Sequence, residues 1–454
     1  MRKFLIGLLL LAAIFGGAFA VLRGPVEQTG TAALKAFPIY SFVRLRDMTL
    51  MRASHAGTHA SNRLEHRRDL ATPRDRSVTT PNNDTLYSSA FLDLAAGPVQ
   101  LTMPKPAGRY LSVAVMDART DHAFVIGTRV APGGETISIE YDAGKTGAGK
   151  TGAGKTGAGK AEGAALPRHV VQTPQAWLLI RTLVDGPQDL EAARAVQQGF
   201  VLRVPEGSRR PDHVPQVRPV LPGPAELLEA VNPVIAESPS LRDPALAATG
   251  YGGGADAFAQ LPAWRQWLWQ LLLPRIFERM SEVIAEGSVV SADGWSITPP
   301  GIGTAAASNA VRAGVALAGL GALPAEEAVY WSATQDSARV PLDGAGRYRL
   351  TIPADVPAAA FWSLSLYERL PDGRLFYIEN PMDRFAIGNR TPGLVRNPDG
   401  SLTILLSSAP PQQAANWLPA PRAGPFTLIF RAYLPGPEMR NGTWRLPAVE
   451  RVSQ

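Results

Sequence analysis

Cysteine is absent from the 454-residue sequence. Its absence excludes disulfide bonds, thiolate metal sites, cysteine nucleophiles and a cysteine-linked lipid anchor. The sequence also lacks a His-x-His pair, an HExxH motif, a GxSxG elbow and an SxxK motif. These are the usual signatures of metal-dependent jelly rolls, zinc proteases and serine hydrolases. We therefore expect no metal and no cofactor, whereas catalytic acid pairs assembled from distant positions stay open.

The excess of basic residues is confined to two short segments. The formal net charge is +6, and six basic residues account for it. They are Arg2 and Lys3 at the amino terminus and Lys145, Lys150, Lys155 and Lys160 in a low-complexity repeat. Because the rest of the chain is close to neutral, it has no electrostatic basis for binding nucleic acid.

An uncharged run from Phe4 to Leu22 follows the basic amino terminus, and Ala18-Phe-Ala20 lies near its end. This order is typical of a secretory signal peptide that is cleaved after Ala20. The run is also just long enough for a membrane-spanning helix. Residues 1–22 are therefore predicted to be a signal peptide or a membrane anchor. Either alternative places the remainder in the periplasm, free or anchored to the inner membrane and facing the periplasm.

Four sequence features occur twice, in the same order. Each copy has an apolar segment ending in Pro, an alternating segment, an Ile-Gly-x-Arg corner and a late segment with Leu-Ile and Gly-Pro. The pairs are 101–104 with 350–353, 110–116 with 361–367, 126–129 with 387–390, and 179–187 with 428–437. Alternating apolar residues bounded by Pro and Gly predict β-strands. The repetition therefore predicts two related β modules.

Short strands, frequent Pro and Gly turns and the lack of βαβ alternation indicate a mainly β fold with helical inserts. We predict two tandem jelly-roll-like antiparallel β-sandwich domains. The divisions are a first β domain at 31–204, a Pro-rich linker and helical region at 205–330, and a second β domain at 331–452. Helices are predicted at 44–68, 189–199, 256–286 and 305–320, with little regular structure from 205 to 244. Trp264, Trp267 and Trp269 either pack onto a sheet or seat their helix at a membrane surface.

A Gly/Lys/Thr repeat at 144–160 satisfies the phosphate-loop pattern GxxxxGK[ST] twice. That motif binds phosphate only where it follows a strand and opens a helix. Here it recurs every five residues and runs into another Gly- and Ala-rich stretch. We therefore predict a disordered, flexible hairpin tip and no nucleotide partner.

Three histidines, His55, His59 and His66, fall on one stripe of the helix predicted at 44–68. Three imidazoles on one helix face would bind a transition metal. The alternative is a solvated or half-buried face, and Gly57 and Thr58 weaken the helix that a metal site requires. We adopt this alternative and keep the three histidines as the one weak metal candidate.

Polar and aromatic residues beside the duplicated segments are the candidates for a ligand site. They are Asn82, Asn83, Asp84, Tyr87, Arg109, Asp117, Arg384, Asn416 and Trp417. Such side chains orient polar ligands, whereas the alternative for residues 81–84 is turn chemistry, since Asn and Asp bond their own backbone. Arginines that match across the copies, such as Arg129 and Arg390, are predicted to bind loop carbonyls or to pair with an acid.

Several strings resemble two families of unknown function. Residues 80–87 (TPNNDTLY), 92–94, 108–110, 127–129 and 181–182 resemble the domain-of-unknown-function family 1254. Residues 361–364 (FWSL), Arg384, 387–388, 399–400, 416–421 (NWLPAP) and 442–444 resemble its usual C-terminal companion, family 1214. The resemblance implies tandem jelly-roll-like domains in bacterial envelope proteins, and it implies no established reaction. The repeat at 144–160 departs from the family pattern.

Three functions are compatible with these observations. The first is an exported or membrane-tethered envelope protein that binds a polar or saccharide-like ligand, or a protein partner, in a cleft near Asn82 to Tyr87 and Asn416-Trp417. The second is a metal-independent lyase or hydrolase that uses Asp84 or Asp117 with a nearby Arg or Tyr in an inter-domain cleft. The third is a structural homo-oligomer.

Overall fold

The computed structural model describes residues 2–55, 61–106, 108–131, 133–142, 166–206, 214–287, 289–291, 293–297, 301–371 and 373–452. Side chains are described for these residues except 2–22, 53–55, 281–287 and 289–290. The Gly/Lys/Thr repeat, His59 and the side chains of the predicted leader therefore lie outside the described residues.

The first β unit consists of two sheets that share one apolar core. Its strands are β1 (Glu65–His66), β2 (Thr85–Asp93), β3 (Val99–Thr102), β4 (Leu111–Asp117), β5 (His122–Gly127), β6 (Thr136–Tyr141), β7 (Arg168–Val171), β8 (Gln175–Leu183) and β9 (Val201–Arg203). One sheet has the order β1-β2-β8-β4-β5 and the other β7-β6-β3-β9. Val113 and Ile180 of the first sheet and Leu101 and Ile139 of the second belong to the same buried cluster.

The second β unit is also built from two facing sheets. Its strands are β10 (Val289–Val290), β11 (Ser296–Ile297), β12 (Ala328–Ala333), β13 (Tyr348–Ile352), β14 (Ala358–Arg369), β15 (Leu375–Phe376), β16 (Ala386–Gly388), β17 (Leu402–Ser407), β18 (Trp417–Pro419), β19 (Phe426–Pro435) and β20 (Glu450–Arg451). One sheet has the order β10-β11-β12-β19-β14-β15, with β16 also paired to β14, and the other has the order β18-β17-β13-β20. Leu364 and Phe430 share a core with Leu350 and Ile404.

The two units have the same strand order. The run β2-β8-β4-β5 corresponds to β12-β19-β14-β16, and β7-β6-β3-β9 corresponds to β18-β17-β13-β20. The parallel pairings are equivalent too, because β6 pairs with β7 and β17 pairs with β18 in parallel, whereas the other strands pair antiparallel. The duplicated segments of the sequence therefore occupy equivalent strands. The prediction of a mainly β chain with antiparallel sheets and helices is confirmed, and jelly-roll connectivity is not.

The Ile-Gly-x-Arg corners end equivalent edge strands. Gly127 pairs with Ser112 and Gly388 pairs with Ser363. A Cβ at Gly127 would lie 2.1 Å from the carbonyl oxygen of Leu111, and one at Gly388 would lie 2.3 Å from the carbonyl oxygen of Trp362. Both distances are far below van der Waals contact, so only glycine lets the neighbouring backbone approach at either corner.

Helices cover one face of the first unit. They are α1 (Arg2–His55), α2 (Leu190–Gln198), α3 (Pro224–Glu237), α4 (Ala257–Gln260), α5 (Ala263–Gly287) and α6 (Asn309–Ala318). The short helix α7 (Pro437–Arg440) lies in the second unit, against β19. Small residues of α1, including Ala32 and Ala36, are fully buried and allow neighbouring helices to approach closely. The helical cluster also contains Phe91 and Trp177, from β2 and β8. The sheet of the first unit is therefore covered on both faces.

Three helix predictions need correction. The helix predicted at 44–68 is the last part of α1, which ends at His55. His66 lies in β1, where its backbone pairs with β2 instead of continuing a helix. The helix predicted at 256–286 is interrupted at residues 261–262, since Pro262 starts a new helix rather than continuing the first. The segment 205–244 is not largely irregular, because the buried apolar face of α3 makes it helical from residue 224.

The tryptophans of α5 divide between core and surface. Trp269 is fully buried, and the exposed fractions of Trp264 and Trp267 are 47% and 57%. The helix packs against α1, where the rings of Phe37 and Phe277 are 5.2 Å apart. Across the residues that the structure describes, no helix is both long enough and apolar enough to cross a membrane.

Candidate functional site

The two β units meet through an aromatic junction. The ring of Phe361 stacks on Tyr433 at 4.1 Å, and Tyr110 meets both rings at 5.5 and 5.3 Å. Leu183 and Leu323 belong to the same buried cluster. Leu183 pairs with the first residue of β2 and Tyr433 with the first residue of β12, so the junction joins equivalent faces of the two units.

A short segment of each unit crosses this junction to the other unit. The first crossing segment (residues 79–84) leads into β2, and the second crossing segment (residues 318–327) leads into β12. Arg431 of the second unit donates from Nη2 to the carbonyl of Thr80 at 3.2 Å, and Arg181 of the first donates from Nη2 to the carbonyl of Gly321 at 2.6 Å. Arg181 pairs with Ser112 and Arg431 with Ser363, so the two arginines occupy equivalent positions.

Each crossing segment ends in a carboxylate, and the two carboxylates have different bonding partners. Glu327 is buried and accepts from Arg129 Nε at 2.7 Å and from the Tyr110 hydroxyl at 2.8 Å. Asp84 accepts from the Ser363 hydroxyl at 2.6 Å, and it takes part in none of the salt bridges found among the described residues, although the charge of Arg431 acts on it. Arg390, the counterpart of Arg129, pairs with Asp185 instead. The symmetry of the two units is therefore broken at Asp84.

The groups around Asp84 are polar and largely buried. Asn82 accepts from the backbone N–H of Asp84 at 2.8 Å and donates to the Tyr433 hydroxyl at 2.9 Å. Arg431 is 4% exposed and donates from Nη1 to Ser365 Oγ at 3.0 Å. Burial raises the pKa of the Asp84 carboxyl, although the Ser363 hydroxyl and the Arg431 charge oppose the rise. A carboxyl with these neighbours is well placed to exchange a proton and to bind polar groups.

The first crossing segment is both a turn and part of this site. The Asn82 side chain bonds the backbone two residues on, which is the turn chemistry expected of residues 81–84. Thr80 has a φ of 54°, a conformation that is unfavourable for a β-branched residue. The Tyr367 hydroxyl donates to the carbonyl of Pro81 at 2.6 Å and holds the segment on the second unit.

The other residues predicted near Asp84 have structural contacts of their own. Asn83 donates to the carbonyl of Ala71 at 2.6 Å. The ring of Tyr87 lies 5.5 Å from the guanidinium carbon of Arg181. Arg109 donates to both carboxylate oxygens of Asp189, at 2.5 and 2.8 Å, and to the carbonyl of Leu183 at 2.6 Å. The contacts of Asn83, Tyr87 and Arg109 hold loops and strands of the first unit together.

Asp117 is the last residue of β4, where the tight turn to β5 begins. Its carboxylate accepts from the backbone N–H groups of Arg119 at 2.8 Å and Asp121 at 3.2 Å. It also forms a salt bridge with the Arg119 guanidinium at 2.9 Å. These bonds occupy both of its oxygens and stabilise the turn.

The candidates of the second unit hold one of its loops. Arg384 donates to the carbonyls of Ala414, Ala415 and Trp417 at 3.2, 2.8 and 3.0 Å. Asn416 donates to the carbonyl of Val395 at 2.6 Å, and the buried Trp417 donates to a β17 carbonyl at 2.9 Å. Within the described part of the chain, no hydrogen bond joins this group to Asp84. The structure thus places the two halves of the predicted cleft in separate networks.

Ser363, Ser365 and Tyr433 belong to the Asp84 group and were not among the predicted site residues. Ser363 lies opposite Arg431 in the pairing of β14 with β19, as Ser112 lies opposite Arg181 in the first unit. Aligning the two copies therefore marks this position. Nothing in the linear sequence shows that it faces residue 84.

Of the three histidine candidates, only His66 has a described side chain. His66 Nδ1 is 2.8 Å from the Ser88 hydroxyl in the pairing of β1 with β2. The described side chains contain no group of three histidine or acidic residues that would hold a metal ion. A cavity of about 40 Å³, lined in part by Phe42, Arg46 and Gln175, has room for one or two water molecules.

These observations define a class of protein with two equivalent β units, crossed segments between them and a polar site at their junction. Residues 61–204 match the family described as "Protein of unknown function (DUF1254)", and residues 327–437 match "Protein of unknown function (DUF1214)". The two matches together cover more than half of the chain. The resemblance noted in the sequence is therefore confirmed for these two segments.

Two solved structures resemble the chain. The VPA0106 protein from Vibrio parahaemolyticus is 20% identical, with a TM-score of 0.65, over 94% of this chain and 100% of that chain. An uncharacterized protein from Burkholderia cenocepacia is 14% identical, with a TM-score of 0.43, over 97% of this chain and 98% of that chain. The first similarity is one of fold. No curated protein matches the chain.

Proposed function

We propose that this protein binds a small polar ligand at the junction of its two β units, through Asp84, Ser363 and Arg431. One observation carries the proposal: Asp84 forms no salt bridge among the described residues, whereas its counterpart Glu327 is paired with Arg129. The carboxylate of Asp84 is therefore open to pairing with a ligand in a way that the carboxylate of Glu327 is not.

The chemistry of the junction favours a ligand rich in hydroxyl or carboxylate groups. The carboxyl of Asp84 and the hydroxyl of Ser363 suit the hydroxyls of a saccharide-like molecule. The guanidinium of Arg431 attracts a carboxylate, and its burial strengthens that attraction because little water screens it.

Calorimetric titration of the full chain tests the proposal. The probes are a panel of mono- and disaccharides and of short-chain carboxylates. We expect at least one probe to bind saturably and Asp84→Asn to weaken it by about tenfold or more, the value of one hydrogen bond to a charged group. Asp355→Asn, which changes an exposed acid, is the matched control. No heat with any probe, or equal affinity in Asp84→Asn, would contradict the proposal.

The raised pKa of Asp84 and its short hydrogen bond to Ser363 favour a second candidate, a metal-independent enzyme. In that role Asp84 acts as the acid or base of a lyase or hydrolase. A screen of chromogenic esters and glycosides, run with and without a chelator, tests it. We expect turnover that survives the chelator and is lost in Asp84→Asn but not in Asp355→Asn. Turnover that survives Asp84→Asn would assign catalysis elsewhere.

We also propose that the protein acts outside the cytoplasm, where an envelope saccharide would meet it. The basic amino terminus and the uncharged run at residues 4–22 support this location. The exposed Trp264 and Trp267 lie beside α1, since Arg265 of the same helix turn donates to Gln28 at 3.4 Å, and such residues favour a membrane interface. Fusion of alkaline phosphatase after residue 454 is expected to be active, and an inactive fusion would contradict the location.

A further inference from the structure

Two exposed tryptophans lie at the start of α5. Trp264 and Trp267 are three positions apart, so their side chains emerge on the same side of the helix, and their exposed fractions are 47% and 57%. Pro262 and Ala263, just before them, are exposed as well. Large apolar side chains that cluster on one side of a helix mark an interaction surface.

Two contacts set the direction of α5 against α1. Near the start of α5, Arg265 donates to the side chain of Gln28 at 3.4 Å. Further along both helices, the ring of Phe277 is 5.2 Å from the ring of Phe37. The two helices therefore run in the same direction, and the tryptophans lie at the end of α5 that points towards the amino terminus of α1.

The same contacts fix how far the start of α5 is from the uncharged run at residues 4–22. Because α1 is helical from Arg2 to His55, the step from Leu22 to Gln28 corresponds to about 9 Å along it. The polar headgroup layer is about 5–7 Å thick on each side of a bilayer core. Side chains on a helix tilt towards its amino end, so rings at this level reach back towards that layer. With the run in the hydrocarbon core, the start of α5 lies at the headgroups.

The charges at the start of α5 suit the same surroundings. The stretch 257–277 contains no acidic residue and has two arginines, Arg265 and Arg275. On α1, the acid at this level is Glu27, and it is paired with Arg23 at 2.8 Å. A layer of lipid phosphates would therefore meet aromatic and basic side chains.

We propose that Trp264 and Trp267 seat the start of α5 in the headgroup layer of a phospholipid membrane. Their indole rings combine an apolar body with one polar N–H group, which suits the boundary between hydrocarbon and water. Arg265 adds a cation for lipid phosphate. The buried Trp269 of the same helix takes no part, since it donates to the carbonyl of Thr249 at 2.9 Å.

Electron paramagnetic resonance of a nitroxide label tests this docking surface, and the absence of cysteine allows a single label to be placed. The full chain, labelled at Ala263→Cys, is reconstituted in vesicles of phosphatidylethanolamine with a minority of phosphatidylglycerol. The measurement compares collisions of the label with oxygen, which concentrates in lipid, and with a nickel chelate, which stays in water. We expect the oxygen-to-nickel ratio to be severalfold higher than at Ala423→Cys, an exposed position of the second unit.

Trp264→Ser combined with Trp267→Ser should lower the ratio at position 263 to nearly the value at position 423. Val395→Ser is the matched control, because it removes a 60% exposed apolar side chain from the second unit. That unit contributes no described residue to the helical cluster around α1 and α5. If the double variant fails to fold by circular dichroism, Trp267→Ser alone replaces it.

Two results would overturn the proposal and assign this surface to a protein partner. One is a ratio at position 263 no higher than at position 423, and the other is a ratio that the tryptophan substitutions leave unchanged. Asp84→Asn should not alter the ratio, so the docking surface and the ligand site can fail separately. An active phosphatase fusion together with a water-exposed position 263 would keep the proposed location and remove the docking surface.

Discussion

The different roles of the two carboxylates at the junction yield a quantitative prediction. Glu327→Gln removes the charge from a side chain that is 1% exposed and weakens its bonds to Arg129 and Tyr110. Each charge-assisted bond contributes about 1.5–3 kcal/mol. The 37% exposed Arg129 recovers part of its loss from water. We therefore expect Glu327→Gln to lower the free energy of unfolding by about 3 kcal/mol.

Asp84→Asn should behave differently. The amide oxygen can still accept from the Ser363 hydroxyl, and the substitution removes a charge that burial disfavours, as the raised pKa of Asp84 shows. The free energy of unfolding should therefore stay within about 1 kcal/mol of the wild-type value. A residue that serves a ligand rather than the fold can be replaced at little cost in stability.

Urea unfolding followed by tryptophan fluorescence measures both changes, with the slope of the transition held in common. Glu450→Gln is the control for a solvent-exposed pair, because Glu450 and Arg349 are 50% and 53% exposed. Its effect should stay below about 1 kcal/mol. The reasoning would be refuted if Asp84→Asn destabilised the protein as much as Glu327→Gln, because both acids would then be structural.

Three further predictions follow from individual contacts. Burial lowers the pKa of His122 from 6.5 to about 4, so its contribution to the free energy of unfolding is constant above pH 6.5 and falls by about 3 kcal/mol towards pH 4, because the unfolded chain binds a proton first. Urea unfolding across this range should show no such fall in His122→Gln. Gly127→Ala should destabilise the protein by about 3 kcal/mol or more and Gly108→Ala by less, because both glycines have a positive φ but nothing lies within 4 Å of a Cβ at Gly108. Thermal unfolding of the two variants measures the difference, and equal losses of stability would contradict the prediction. Arg384→Gln should cost about 2 kcal/mol by freeing loop carbonyls while leaving ligand affinity unchanged in calorimetry, and a parallel loss of affinity would place Arg384 in the site.

The crossed segments explain why the two units form one structure. The segments before β2 and β12 each cross to the other unit, and each is held there by an arginine at the same position of the late strand. Exchange of this kind is typical of domain-swapped dimers, in which identical chains exchange one element. In this protein the two partners are covalently joined, which lets their junctions diverge, and Asp84 and Glu327 are the point of divergence.

The fold was accessible from sequence where local pattern decides it. Alternation of apolar residues and Pro or Gly turns marked the duplicated strands, and the repeated Ile-Gly-x-Arg corner marked the strand ends where only glycine fits. The sequence patterns did not predict the helix boundaries at His55 and Pro262. Whether a polar stretch such as residues 61–66 becomes a strand depends on a partner strand elsewhere in the chain.

The site was only partly accessible. Asn82 and Asp84 were predicted because their side chains suit polar ligands, and the structure places both beside the junction. Arg384 and Trp417 have side chains of the same kind, but they bond to nearby backbone. Residue type alone cannot separate the two cases, because a hydrogen-bonding group serves structure or ligand according to what surrounds it.

The sequence by itself determined the two equivalent β units, the glycine corners and the absence of thiol chemistry, since these depend on local pattern and composition. Only the tertiary structure decided that the segments before β2 and β12 cross between the units, and that Arg129 reaches Glu327 while Arg390 turns to Asp185. Contacts between residues some hundreds of positions apart arise from how the two sheets face each other. That relation is set by the packing of Tyr110, Phe361 and Tyr433, and by no local propensity.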